Sequence, residues 1–380
     1  MAANGCRLVQ RRQNFMKQRI LVFTSLLLML AMIVLAGPTH SSVLAQSTAP
    51  ATLPALTKQF KIAVVAPSTK NDLAWTQSIY DALVKVQAEA GGKDKLDFTI
   101  SENLFNVPDA QNAIRDYATQ GYDIVIAHGT QYGAVMFDVA KDFPDVSFAW
   151  GTATDTGASQ GLKNVFAYEA RAEEGGYVNG VMAALLTKSG VIGIVGPVEA
   201  GDAKLYIDGF KQGALASGKI KPDNVKLIYT GSFGDTAKAG ESAKTLISQG
   251  ADVLTGSAQQ VPGAITEIQK AKGFWFGTQT DQAGGWPDTT VATQVYDWAP
   301  MLRDMIALKL AGTKGGKAYS ISLKDGGEKI VFNPKLTISD DVKQAAEGAA
   351  AAIMTGKVVV IGNPSLSATM APTMAATASK

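Results

Sequence analysis

The chain predicts an α/β fold of two doubly wound, parallel-sheet lobes joined by a hinge. Three observations carry this. Short apolar runs alternate with helix-like segments from about residue 60 to residue 362. The strand runs are apolar throughout, as strands covered by helices on both faces are. The rhythm breaks near residues 151–171 and again near 284–298, which suits two open lobes better than a closed barrel of eight regular units. An apolar content of 46% in 380 residues supports two cores of that kind.

The first lobe opens with the strand "KIAVVAP" and a helix through "TQSIYDALVKVQAEAG". "LDFTISEN" is the next strand, followed by the amphipathic helix "VPDAQNAIRDYATQG", ended by Gly121, since glycine adopts positive φ without strain. "YDIVIAHG" and "TQYGAVMFDVAKDFP" repeat the unit, and "VSFAWGTA" and "GLKNVFAYEA" add strands. The pattern restarts at "EEGGYVNGVMAALLTKSG", a helix whose small residues permit close packing. "VIGIVGPV", "NVKLIYTGSF", "ADVLTGSA" and "FWFGTQTD" are its strands, separated by three helical segments. The expected lobes are 60–164 plus 290–316, and 165–289 plus 317–362.

The ends read differently. Arg7, Arg11, Arg12, Lys17 and Arg19 precede an apolar run at 20–37, and Val43 and Ala45 stand at signal-peptidase spacing. Residues 1–45 are expected to be a cleaved signal peptide, though the run approaches the length of a membrane anchor. Residues 46–59 read as a Pro/Ala/Thr linker and 363–380 as a disordered tail. Cys6 precedes the apolar run, so it is not placed to carry a lipid, and the mature chain would hold no cysteine for disulfides, metal ligation or nucleophilic attack.

Charge excludes further classes. The 35 Lys+Arg nearly balance 33 Asp+Glu, and no basic patch points to nucleic acid. Only two histidines occur, His40 and His128, and no metalloprotease, hydrolase or phosphate-loop motif is present. No enzyme activity, cofactor or metal is expected.

Candidate ligand groups cluster where strands end, because open α/β sheets bind ligands beyond their strands' carboxyl ends. In "STKNDLAWTQSIYDAL", Asn71 or Asp72 either caps the next helix or reads a ligand. Trp75 needs a large partner surface, and Tyr80 lies off its helical face. "GTQTDQAGG" places Asp281 after a strand in the second half, either as a turn residue or with two acceptor oxygens for neighbouring hydroxyls. Lys324 stands before a glycine-rich turn, His128 ends a strand, and "YDWAP" offers a tryptophan for hinge packing or the site.

In order, these segments resemble the basic membrane protein family of ABC-transporter substrate-binding proteins, which includes spirochaetal purine nucleoside receptors. "KNDLAWTQSIYDAL", "GYDIVIAHG", "AKDFPDVSFAW", "YTGSFGDTAKAGESAKTLISQGADVL", "GTQTDQ" and "SLKDGG" carry the resemblance, over nearly all of 61–332. It implies a type I periplasmic-binding fold that closes on a purine nucleoside, with Asn71 and Asp72 reading the base and Tyr80 stacking on it. It also implies Asp281 on the ribose hydroxyls and Lys324 near the pocket, with Trp75 a signature aromatic of core or cleft. "GSAQQVPG" departs from the family's glycine-rich segment and makes Ser257 and Gln259 candidate contacts. No arginine cluster marks a phosphate site. The expected protein is an exported, monomeric binding protein, periplasmic or at the cell surface, that delivers its ligand to an ABC permease. The alternative ligand is a free base, a sugar or a flavin-like vitamin.

Overall fold

A computed structural model describes residues 52–362. The expected signal peptide and tail, and residues 46–51 of the linker, lie outside the described residues. Two six-stranded sheets form the body of the protein. The first contains β1 (Phe60–Val65), β2 (Leu96–Ser101), β3 (Ile124–His128), β4 (Ser147–Gly151), β5 (Val165–Ala170) and β11 (Ala318–Ile321). Their order is β11-β5-β4-β3-β1-β2, all parallel. The second contains β6 (Ile192–Gly196), β7 (Val225–Tyr229), β8 (Val253–Gly256), β9 (Phe274–Gln279), β10 (Thr290–Tyr296) and β12 (Glu328–Phe332), in the order β12-β10-β9-β8-β6-β7. β12 runs antiparallel to β10, at the edge of an otherwise parallel sheet.

Side-chain partners for free N–H groups mark some of the helix starts. In α1 (Trp75–Glu89), Trp75, Ile79, Ala82, Leu83 and Val86 are buried along one face. The side chain of Asn106 caps α2 (Val107–Thr119), with a proline in its first turn. α3 (Gly133–Asp142) follows β3. In the second lobe, α4 (Ala172–Leu186) lies against α5 (Gly201–Ala216) so closely that a Cβ at Gly176, Gly180, Gly209 or Gly213 would run into the other helix's backbone. The small residues of "EEGGYVNG" thus do pack as their size suggested. Asp235 caps α6 (Thr236–Ser248) by accepting from Lys238 N–H, and α7 (Val261–Lys270) follows β8.

The lobe boundaries differ from the expected ones. β5 pairs with β4 in the first sheet, although 165–170 was expected in the second lobe. β10 belongs to the second sheet, although 290–296 was expected in the first, and β11 pairs with β5 although 317 onward was expected in the second. The chain therefore crosses after β5, after β10 and after β11. The first two crossings fall within the breaks at 151–171 and 284–298, and the third follows the short strand β11. Helix α8 (Ala299–Leu310), between the second and third crossings, packs on α1, and α9 (Asp340–Met354) packs on α4.

Candidate functional site

The carboxyl ends of strands from both sheets border one cleft of about 360 Å³, counting space open to solvent. The first lobe contributes Pro67, Trp75, Phe105 and the run Gly129–Thr130–Gln131. The second contributes Asp202, Ala203, Phe233, Ala258, Gln259 and Gln279. The two halves match in position. Phe105 lies four residues beyond the end of β2 (101 to 105), and Phe233 four beyond the end of β7 (229 to 233). Gln131 lies three beyond β3 (128 to 131), and Gln259 three beyond β8 (256 to 259).

Trp75 is held rigidly at the base of the first lobe's wall. Its ring stacks on His128 with centroids 4.0 Å apart and planes 4° apart. The indole N–H donates to the His128 carbonyl at 3.1 Å, and His128 Nε2 lies 2.9 Å from the Trp75 carbonyl. A carbonyl only accepts, so Nε2 carries the proton, and Nδ1 accepts from the Tyr168 hydroxyl. Burial pushes the His128 pKa down to about 3, so the ring is neutral at physiological pH. Behind it, Tyr296 and Trp298 meet Trp75 edge to face, and Trp298 Nε1 donates to Ser78 Oγ at 2.9 Å. His128 is thus a structural support and Trp298 a hinge residue.

The carboxylate of Asp72 is spent on the helix start. It accepts from the N–H groups of Ala74, Thr76 and Gln77 at 2.9 to 3.1 Å. Burial raises its pKa, and those N–H bonds oppose the rise. Asp202 is the counterpart in the second lobe, in the first turn of α5. Its Oδ2 accepts from Gln279 Nε2 and from the Tyr296 hydroxyl, both at 3.2 Å. Burial likewise raises its pKa, against those hydrogen bonds. Two polar atoms in the cleft are buried without a partner: Gln131 Nε2 and Gln279 Oε1.

Of the candidate ligand residues singled out in the sequence, Trp75 and Gln259 line the cleft. Tyr80, expected to stack on the ligand, instead meets Phe98 edge to face at 6.0 Å, with Lys70 Nζ 5.9 Å from its ring centre. Five residues of helix turn it away from the face Trp75 occupies. Asn71 is exposed beside the cap. Asp281 is also exposed and accepts from Ala283 N–H at 2.9 Å, the arrangement of a turn aspartate. Lys324 is exposed in the turn before β12. Ser257 is buried with its hydroxyl unpaired, one residue before the cleft-lining Ala258.

Sequence reading missed Phe105, Gln131, Asp202, Phe233 and Gln279. The signal was present: "ENLF" and "TGSF" each set a phenylalanine at the same offset after a strand. Gln279 was passed over for the nearby Asp281. It ends β9 with φ 77°, and that left-handed residue turns the chain so that Asp281 points outward while the glutamine stays inside.

Loops after β9 also tie the lobes together. Thr280 Oγ1 donates to the Ala74 carbonyl at 2.9 Å, and Gln282 Nε2 to the Leu73 carbonyl at 3.1 Å. Among the described residues, no group of three or more His, Cys, Asp or Glu side chains is placed to hold a metal ion.

Comparisons with known proteins agree with this architecture. Residues 59–361 match the family described as "Bmp: ABC transporter substrate-binding protein PnrA-like". A purine-binding protein of Brucella abortus is 32% identical over 303 residues, covering 79% of this chain and 83% of its own. The transcriptional activator protein med of Bacillus subtilis is 28% identical over 240 residues, covering 62% and 71%. An ABC transporter solute-binding protein from Conexibacter woesei has a TM-score of 0.65 at 23% identity, covering 80% of this chain and 98% of that one. At that identity the likeness is one of fold, the two-lobed periplasmic-binding arrangement.

Proposed function

Because the chain belongs to the Bmp family of ABC transporter substrate-binding proteins, we propose that it captures a purine, free or as its nucleoside, between its lobes. It then delivers that ligand to a membrane permease. The observation that carries this reading is that aromatic side chains of both lobes, Trp75 and Phe105 from one and Phe233 from the other, line a single cleft. Aromatic rings on opposite walls suit a flat heterocycle, whose faces stack while its edges hydrogen-bond. The buried, unpaired Gln131 Nε2 and Gln279 Oε1 supply a donor and an acceptor for such an edge.

Charge narrows the ligand. The lining residues include one carboxylate, Asp202, and no lysine, arginine or histidine. A nucleotide's phosphates would find no cation there, so neutral ligands are favoured. The Brucella relative, a purine-binding protein, points the same way. Closure over the ligand turns its differential affinity for the closed state into a shape the permease recognises. The protein acts outside the cytoplasm, as members of this family do, and as a monomer.

A thermal-shift and calorimetric panel of purine bases, nucleosides, sugars and flavin tests this. Saturable binding of one purine per chain is expected. No response to any purine, with a clear response to another class, overturns it.

A further inference from the structure

We propose that the cleft selects the free base over its riboside, with Gln279 and Gln131 reading the base edge. This rests on the purine reading above and asks which part of a purine compound the site recognises. Ribose offers two neighbouring hydroxyls, and a carboxylate with both oxygens free is the side chain suited to take them. The site has none to spare. Asp72 gives its oxygens to three N–H groups of its own helix start. Asp202 is 7% exposed and engaged by Gln279 and Tyr296. Asp281 faces solvent in its turn.

What the cleft offers instead is amide chemistry. Gln279 is 2% exposed, and its orientation is fixed because its Nε2 donates to Asp202. Its Oε1 is therefore a buried acceptor with no protein donor. Gln131 brings an unpaired N–H donor from the other lobe. A buried polar atom without a partner is unfavourable, so a ligand that supplies an N–H beside an acceptor nitrogen or oxygen is rewarded at both positions. Free purines carry such edges, including the N–H at position 9 that a ribosyl group replaces.

The test is calorimetry on the full native protein with adenine, hypoxanthine, adenosine, inosine and 9-methylhypoxanthine. Either base is expected to bind at least about tenfold more tightly than its riboside, a gap of about 1.4 kcal/mol. In Gln131→Leu, base affinity is expected to fall about tenfold while riboside affinity changes little, and Asp202→Asn, which frees the Gln279 amide to turn, is expected to narrow the gap. Ribosides binding as tightly as bases would overturn the inference and leave the purine reading standing. No heat with any of the five would overturn both.

Discussion

Trp75 and His128 are bound to each other twice over, ring to backbone in both directions. The indole N–H reaches the histidine carbonyl, the imidazole Nε2–H reaches the tryptophan carbonyl, and the two rings lie face to face. One cleft wall is therefore fixed before any ligand arrives. Preorganisation of this kind spares the ordering that binding would otherwise require.

His128 makes stability depend on acid. Its native pKa is held down to about 3, below the ordinary histidine value, by burial. The unfolded chain binds a proton there first, so this contribution is fully present above about pH 6.5 and is lost as pH falls toward 3. Between pH 7.5 and pH 5 the unfolding free energy is expected to drop by about 2 kcal/mol from this residue. Urea unfolding of the wild type and His128→Gln at both pH values measures it, and the variant should show the smaller drop.

The aromatic assignment separates two rings. Phe233→Ala is expected to weaken purine binding by about 1–3 kcal/mol, the range for stacking of a base on an aromatic side chain. Tyr80→Ala should alter affinity by less than about twofold, as substitutions away from a site do. Calorimetry on the two variants checks both, and equal losses would return Tyr80 to the site.

The loop after β9 acts as a latch between lobes. Thr280→Val removes the hydrogen bond to the Ala74 carbonyl while keeping the side chain's shape. Loss of one such bond is expected to favour opening by about 0.5–1.5 kcal/mol. Stopped-flow measurement should show faster ligand release, by about two- to tenfold.

Glu328 ties the hinge strands in its neutral form. It is fully buried on β12, and Gln294 Nε2 donates to its Oε2 at 2.8 Å and to the Ala172 carbonyl at 3.2 Å. One amide thus links β10 to β12 and to the start of α4, segments next to all three crossings. Burial, with Glu174, Glu173 and Asp325 nearby, raises the carboxyl's pKa well above its usual value, while the Gln294 bond opposes the rise. For an acid raised on folding, the contribution is complete below about pH 4.3 and is lost as pH rises toward the native pKa. Glu328→Gln, which mimics the neutral acid, should raise the melting temperature more at pH 8 than at pH 5.

The alternation of strands and helices was legible in the sequence because a covered parallel strand must be apolar along its whole length. Two sheets, their helices and the strand-end location of the site follow from that. The lobe boundaries were not legible, because β5, β10 and β11 carry no mark of the sheet each will join. Nor could sequence distinguish Asp72 as a helix cap from Asp72 as a ligand group, since the same carboxylate chemistry serves both. Asp281 was misleading for a related reason: one left-handed residue, Gln279, decides which side chains face inward. The offset shared by Phe105 and Phe233 was available and shows only when the two halves are laid side by side.

A crystal structure of the protein with hypoxanthine tests the central claim most directly. The ring is expected in the cleft lined by Trp75, Phe105 and Phe233, stacked on Phe233 and with a ring N–H donating to Gln279 Oε1. A base lying on Tyr80 and Phe98, or held outside this cleft, would contradict it.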